Sequence, residues 1–239
     1  MSKNVYVCQF SLDKAKQYIM EASIKDSGFT YPDLKGILSS MDTGEDRNEI
    51  SNKKEKYHPF ALKLCDANHF FRQSKVVPDA LWVGVDDREI KLPTNQDYIF
   101  SIWNGGRIFN QACATILKKH RLGETILTPV QIYDLSTGKL VSDETYYFLN
   151  LYERREYICE VQPSKYLKSI PVGCGAISFS GFIKDRGVDV NESALDCDLD
   201  LWYDPKFIGR FFMSDKLYHS LKENNMIDKF SPLTCNLIR

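Results

Sequence analysis

A strand–helix–strand pattern near the middle of the chain, which recurs in a looser form at the C-terminal end, constrains the fold most strongly. The first copy covers residues 98–134 and the second covers 201–233. Each copy has an arginine before a short apolar strand, a polar helix start (Asn110 or Ser214), a lysine-containing helix and a short strand near a proline. The pattern predicts two hairpin–helix–strand units. It leaves open whether they arose by internal duplication or share a common local shape.

Most of the remaining chain predicts short strands separated by turns. Asn104-Gly105-Gly106 predicts a tight hairpin turn, because glycine tolerates positive φ, and residues 135–139 predict a second turn. Strand patterns cluster instead of alternating regularly with helices, which predicts an α+β fold of mainly antiparallel sheets with a few packed helices. The predicted strands are 5–10, 81–85, 98–103, 126–127, 130–133, 146–151 and several short ones within 158–183.

Three segments predict helices. The first is 13–23, with Ser11 as N-cap and apolar residues at helical spacing. The second follows Asn110 and ends at Leu122-Gly123, where glycine suits a left-handed C-cap. The third begins at Ser214. The residues expected to share one face are Ala15, Tyr18, Ile19 and Ala22 in the first helix, Cys113, Ile116 and Leu117 in the second, and Leu217, Tyr218 and Leu221 in the third.

The chain is long enough and apolar enough to build a core without disulfides or metal, since 43% of its 239 residues are hydrophobic. No linker rich in Pro, Gly or Ser divides it, which predicts a single domain over residues 1–239. Within this domain, residues 1–77 form an N-terminal part. The polar, charged stretch 42–57 predicts a mobile loop, because it contains almost nothing to bury.

Charge, cysteine usage and the absence of export signals narrow the class of protein and the compartment in which we expect it. The 31 Lys and Arg residues nearly balance the 32 Asp and Glu residues, which argues against a dedicated nucleic-acid binder. Seven cysteines are scattered singly, an odd number that predicts reduced thiols in a cytosol. No signal-peptide pattern or membrane-length apolar run occurs in the sequence. The sequence therefore predicts a soluble, cytoplasmic protein with no membrane association and unknown oligomeric state.

Catalytic motifs are missing from the sequence. It contains no nucleophile elbow, P-loop, dinucleotide-binding glycine pattern or H-E-x-x-H motif. Cys174, between two glycines, would need a histidine base from elsewhere to act as a nucleophile, and a buried thiol at a strand bend is the preferred interpretation. We therefore expect no catalytic residues and no cofactor.

An acidic segment, residues 185–204, is the main candidate for a site. It holds seven acids and one base, Arg186, which gives a local net charge of −6 in a nearly neutral chain. Such a patch would steer a basic partner, although ordinary solvated surface is the alternative. The candidate partner-binding residues are Asp185, Asp189, Glu192, Asp196, Asp198, Asp200 and Asp204.

Alternation of Asp196, Asp198 and Asp200 with apolar residues predicts a strand with three carboxylates on one face. A charged edge strand is preferred to a metal site, and an EF-hand is excluded because Leu201 occupies the position of the required glycine. We therefore expect no metal. Trp103 and Trp202 are either core residues or interface anchors.

Residues 107–151 resemble a known family. The motifs are the helix start RIFNQ, the pair Leu122-Gly123, the sequence TPVQIYD at 128–134, the turn at Gly138-Lys139 and the strand around Tyr146-Tyr147. The sequences DLWYDP at 200–205, FMSD at 212–215 and FSPL at 230–233 extend the resemblance. Together they resemble the eleventh immunity-protein family of bacterial polymorphic-toxin systems, over roughly residues 78–239. Tyr203 departs from the arginine that the family often has after its D-x-W.

The resemblance implies a cytoplasmic antidote that binds and blocks a cognate toxin domain, encoded by a neighbouring gene. It implies no catalytic residues. Two alternatives stay open on the sequence: an enzyme of unrecognised type that uses Cys174 or the Asp196, Asp198 and Asp200 face, and a structural module of a secretion system.

Overall fold

The computed structural model describes residues 3–9, 16–18, 20–23, 79–84, 90–102, 106–161, 168–171, 177–180, 183–207 and 210–239. The predicted loop at 42–57, Trp103 and Cys174 with its flanking glycines lie outside these residues. Among the described residues, helix α1 spans Gln111–Leu117 and helix α2 spans Asp215–Glu223. Two 3₁₀ helices span Glu192–Asp196 and Asp228–Phe230.

Strands form most of the described structure, and the predicted α+β class with mainly antiparallel sheets is confirmed. In chain order they are β1 (Val5–Cys8), β2 (Gln17–Tyr18), β3 (Glu21–Ser23), β4 (Ala80–Val83), β5 (Ile99–Ile102), β6 (Arg107–Asn110), β7 (Ile126–Asp134), β8 (Leu140–Asn150), β9 (Ile158–Val161), β10 (Lys168–Pro171), β11 (Ile177–Ser180), β12 (Val188–Asn191), β13 (Leu201–Trp202), β14 (Phe211–Ser214), β15 (Pro232–Thr234) and β16 (Asn236–Ile238).

The chain divides into two compact units, each assembled from separate segments. Unit 1 contains Met1–Lys16, Ala112–Ile126 and Leu151–Arg239, and unit 2 contains Gln17–Gln111 and Leu127–Asn150. Every cysteine among the described residues is a free thiol. The expectation of a single domain over residues 1–239 stays a prediction.

Unit 2 is built on a seven-stranded sheet in the order β2-β5-β6-β8-β7-β4-β3. The pairs β5–β6, β6–β8 and β3–β4 are antiparallel, whereas β2–β5 and β4–β7 are parallel. The β5–β6 pair confirms the hairpin predicted around the glycines at 105 and 106. The apolar core of this unit includes Tyr18, Met20, Ala22, Phe100, Ile108, Ile132 and Phe148.

The helix predicted at 13–23 is wrong within the described residues, which form β2 and β3. Tyr18, Met20 and Ala22 are all buried, at a spacing of two, which is the period of a strand face. Tyr18 and Ala22 also lie four apart, as helical neighbours do, so the same residues fit both periods. Pairing with β5 and β4 decided in favour of the sheet.

Strand β7 runs without a break through Pro129, where two separate strands were expected. Pro129 is exposed, and β4 pairs with β7 only from Gln131 to Asp134, so the missing N–H of the proline costs no hydrogen bond on that side. The predicted turn at 135–139 then leads into β8. Asp134 fastens this turn by accepting hydrogen bonds from the Thr137 amide at 2.7 Å and the Ser136 hydroxyl at 2.5 Å.

Unit 1 contains a four-stranded antiparallel sheet in the order β13-β14-β1-β15, a three-stranded sheet in the order β16-β12-β9 and the antiparallel pair β10–β11. Trp202 on β13 stacks on Phe212 of β14, with ring centroids 6.0 Å apart. Both residues are 1% exposed, so Trp202 is a core residue and cannot anchor an interface. Burial of a phenylalanine such as Phe212 contributes about 1.5–3 kcal/mol to folding.

Both predicted later helices are present. Ser214 caps α2 by accepting a hydrogen bond from the Leu217 amide at 3.2 Å, and Leu217 and Leu221 are buried. Helix α1 buries Cys113, Ile116 and Leu117, the three residues predicted to lie on one side, but it ends at Leu117 instead of Leu122-Gly123. Gly123 is left-handed, with φ of +60°, in a turn that follows the helix.

The two copies of the repeated pattern give the same strand order. In β5-β6-β8-β7 and in β13-β14-β1-β15, one strand lies between the strand before the helix and the strand after it. The two copies differ in their helices. Helix α2 contacts β14 and β1, which belong to the same unit. Residues 112–117 of α1 belong to unit 1, whereas β5, β6 and most of β7 belong to unit 2. Internal duplication and a shared local shape both remain compatible with these two arrangements.

Candidate partner-binding surface

The acidic segment, residues 185–204, does not form the predicted alternating strand. Asn191 ends β12 and caps the 3₁₀ helix Glu192–Asp196 by accepting a hydrogen bond from the Ser193 amide at 2.9 Å. Strand β13 begins only at Leu201. Asp196 and Asp198 are therefore exposed while Asp200 is fully buried, and the expectation that the three carboxylates share one face is wrong. The hydrogen bond from the Ser193 amide to the Asn191 side chain stabilises the 3₁₀ helix, which forms in place of the strand that the alternating pattern predicts.

Asp200 is the centre of a hydrogen-bond network. Its Oδ2 accepts from the Arg121 amide at 2.9 Å and from Nε of the same residue at 3.4 Å. Its Oδ1 accepts from the Ser214 hydroxyl at 2.7 Å and from the Arg121 guanidinium at 3.3 Å. Burial alone would raise the pKa of Asp200, but these donors bring it down to about 2. Asp200 is thus an ionised structural residue and cannot contact a partner.

His120 lies beside this network. Its side chain is 4% exposed, and its Nδ1 is 3.5 Å from Oδ2 of Asp200, too far for a good hydrogen bond. Nδ1 is buried and has no hydrogen-bond partner. Sequence reasoning identified no role for His120, because its contact with Asp200 spans about eighty residues and no local pattern signals it.

Two further acids of the segment are also buried. Asp204 accepts hydrogen bonds from the amides of Tyr157 and Ile158, at 2.8 and 2.9 Å. Burial nevertheless keeps the pKa of Asp204 above its ordinary value. Asp189 is 9% exposed and accepts from the side-chain amide of Asn236 at 3.0 Å. Both residues join strands of unit 1, so neither offers a free carboxylate to a partner.

The remaining four acids are exposed. Asp185 accepts from the Thr234 amide at 2.8 Å and lies at the other end of β12 from the 3₁₀ helix. Glu192, Asp196 and Asp198 lie together in the short stretch between β12 and β13. We call these three residues the acidic loop triad.

Arginines from outside the acidic segment balance part of its charge. The Arg155 guanidinium donates hydrogen bonds to both carboxylate oxygens of Asp198, the shorter at 3.0 Å. These bonds lower the pKa of Asp198. Arg121 neutralises Asp200, and Arg239 is 3.6 Å from Glu192. The count of −6 along the sequence therefore overstates the local field. None of these arginines lies within residues 185–204, so a sequence window could not reveal them.

A shallow groove of about 470 Å³ borders the acidic loop triad. Glu192, Leu195 and Asp196 line one part of it, and Lys3 and Arg239 contribute positive charge. Asp198 is not among the lining residues but is 72% exposed nearby in sequence. The surface is therefore mixed in charge, with carboxylates beside an apolar leucine.

The other predicted sites fare differently. Cys174 lies outside the described residues, so the nucleophile alternative is untested. Within the described part of the chain, no group of three or more His, Cys, Asp or Glu side chains could hold a metal ion. Asp200 is buried in its own hydrogen-bond network. Of the alternative enzyme site, only Asp196 and Asp198 are therefore exposed.

No protein-family model matches this chain, and no curated protein sequence matches it with statistical significance. The resemblance to the eleventh immunity-protein family therefore stays a hypothesis carried by the motifs themselves. Among the helices of the described residues, none has the length and apolar character needed to cross a membrane.

Proposed function

We propose that this chain is an immunity protein that binds and neutralises a cognate toxin domain in the bacterial cytoplasm. The motifs at 107–151 and 200–233 support the family, and the observation that carries the proposal is the acidic loop triad. It presents three exposed carboxylates on a segment whose backbone is held in place. A partner that binds such a segment orders little of it, so less conformational entropy is lost on association.

The hold on this segment comes from both of its sides. Arg121 donates to the Cys197 carbonyl at 3.3 Å and to the Asp200 carboxylate, and the Asp200 amide donates back to the Arg121 carbonyl at 2.8 Å. Arg155 grips Asp198 in between. These contacts favour the acidic loop triad as the contact surface over the full set of seven acids, three of which are buried.

The chemistry of the surface suits a partner with a basic patch. Lysines and arginines of a partner would meet Glu192 and Asp196 directly, and they would compete with Arg155 for Asp198. Complementary charges of this kind speed association and raise specificity, and their effect weakens with salt.

Co-expression with the toxin domain encoded beside this chain tests the proposal, with host survival and co-purification as readouts. Reversing the triad to lysine, as Glu192→Lys, Asp196→Lys and Asp198→Lys together, should weaken the complex by more than about tenfold, because like charges then face each other. The matched control reverses three exposed acids elsewhere, Asp143, Glu223 and Asp228, and should leave affinity within about twofold.

The outcomes separate the two parts of the proposal. Toxicity without rescue or binding by the unmodified chain contradicts the immunity function. Rescue that survives triad reversal in a folded protein supports the function but overturns the assignment of the contact surface.

A further inference from the structure

The unpartnered nitrogen of His120 is a feature that the proposed function does not use. Nδ1 is buried, with no hydrogen bond, and the nearest acceptor is the Asp200 carboxylate 3.5 Å away. A buried polar atom without a partner costs free energy comparable to a lost hydrogen bond. Protonation of this nitrogen would therefore change the free energy of the hydrogen bonds around Asp200.

Asp200 has no free position for His120 in the observed arrangement. A carboxylate offers about four lone-pair sites, and Asp200 already accepts four hydrogen bonds, three of them from Arg121. The two bonds from the arginine side chain are long, at 3.3 and 3.4 Å, and its side chain is 56% exposed. These two bonds are the weakest members of the network and the easiest to replace.

Three charged groups act on His120 from the elements packed around it. Asp200 precedes β13, Arg121 follows His120 in the chain, and Lys216 lies in the first turn of α2. Burial lowers the pKa of His120 first, Asp200 raises it, and Lys216 and Arg121 lower it further. The imidazole is thus neutral at pH 7 and takes up its proton below the range of an ordinary histidine.

We infer that His120 is an acid-operated switch that competes with Arg121 for the carboxylate of Asp200. A proton from solvent binds the imidazole, and the resulting imidazolium donates from Nδ1 to Oδ2 of Asp200. The like charge of Arg121 and the loss of its acceptor then move the guanidinium into solvent. Asp200 stays ionised throughout, so one proton is taken up and none is transferred.

Release of Arg121 loosens the segment that it holds. Its guanidinium also donates to the Cys197 carbonyl at 3.3 Å, so residues 197–200 lose three hydrogen bonds at once, two at Asp200 and one at Cys197. This consequence concerns the chain alone and holds whether or not a toxin is its partner.

Hydrogen exchange measured by mass spectrometry at pH 7 and pH 5 tests the inference, after correction for the intrinsic exchange rate. In the unmodified protein, the amides of Cys197 and Asp200, which donate to the carbonyls of Ala194 and Arg121, should lose about tenfold of their protection at pH 5. Amides of the seven-stranded sheet should keep their protection. In His120→Gln the fall at 197–200 should vanish, and in the control His219→Gln, which changes an exposed histidine, it should persist.

Two results overturn the inference: unchanged protection in the unmodified protein, or an equal fall in His120→Gln. If His120→Gln does not fold, an NMR titration of the unmodified protein decides the question. The His120 ring and the amides at 197–200 should then share one midpoint below pH 6.5, and separate midpoints contradict the switch.

Discussion

The backbone of Gly123 approaches the side chain of Glu153 so closely that a methyl group on Gly123 would fall 1.8 Å from Oε1. Glu153 is held there because it accepts a hydrogen bond from the Glu124 amide at 2.6 Å and pairs with Arg155 at 3.2 Å. Gly123 also has φ of +60°, so two separate physical demands select glycine at this position.

Gly138 separates these demands, because its φ is +67° but a methyl group there would meet nothing within 4 Å. We expect Gly138→Ala to lower the free energy of unfolding by about 1 kcal/mol, the cost of the left-handed backbone alone. Gly123→Ala should cost about 1–3 kcal/mol more, because Glu153 has to move. Urea denaturation of both variants measures the difference, and equal losses would contradict the close approach.

Removal of charge from two acids of the same segment should change the free energy of unfolding by very different amounts. Asp200→Asn should lower the free energy of unfolding by about 2 kcal/mol, because the Asn amide turns a donor towards Arg121 or Ser214. Asp196→Asn, at an exposed position, should change it by less than about 0.5 kcal/mol. Chemical denaturation at pH 7 compares them, and a costly Asp196→Asn would refute the assignment of which acid is structural.

The contribution of Asp200 should also fade in acid. Its pKa in the folded state, about 2, is below the ordinary 3.8, so ionised Asp200 adds stability that is complete above about pH 3.8. That stability is lost as the pH falls towards 2. The stability gap between the unmodified protein and Asp200→Asn should therefore narrow between pH 5 and pH 2, and a constant gap would show that the carboxylate charge is irrelevant.

Ser214 has two roles that substitutions can separate, since it caps α2 and donates to Asp200. Ser214→Ala removes both and should cost about 1–2 kcal/mol. Ser214→Asp restores a capping acceptor but places a second carboxylate against Asp200, so at pH 7 it should be less stable than Ser214→Ala. Thermal melting distinguishes the cases, because a serine that only caps would predict Ser214→Asp near the unmodified protein.

The strand at residues 17–18 can be tested through a buried hydroxyl. Tyr18 donates to Asp97 at 2.8 Å, and Asp97 is 1% exposed. Tyr18→Phe should therefore cost about 1–2 kcal/mol, because the buried carboxylate loses a donor. In the control Tyr133→Phe the lost bond is to Gln131, at a half-buried site, and about 0.5 kcal/mol is expected. Equal costs would place Tyr18 away from the core.

Local patterns predicted much of this fold because they determine short-range structure. Ser214 predicts a helix start and the glycines before Arg107 predict a hairpin, since each acts within a few residues. Tyr18, Met20 and Ala22 were assigned to a helix because a short apolar run fits both periods, and only pairing with distant strands separates them.

The candidate site was less predictable for the same reason. Asp196, Asp198 and Asp200 are chemically alike along the chain, and the difference among them is made by Arg121 and Arg155. Arg121 precedes Asp200 by 79 residues. The residues next to Asp200 in the sequence therefore do not indicate that its carboxylate is buried, whereas those of Asp196 and Asp198 are exposed.

Strand β1 has a consequence for how the protein is made. Among the described residues it pairs with β14 and β15, which follow it late in the chain, and Tyr6 contacts Asp215 across 209 residues. At about 5–20 residues per second, this apolar strand waits roughly 10–40 s for its partners. During that interval its unpaired backbone groups are available to a chaperone or to a strand of a neighbouring chain.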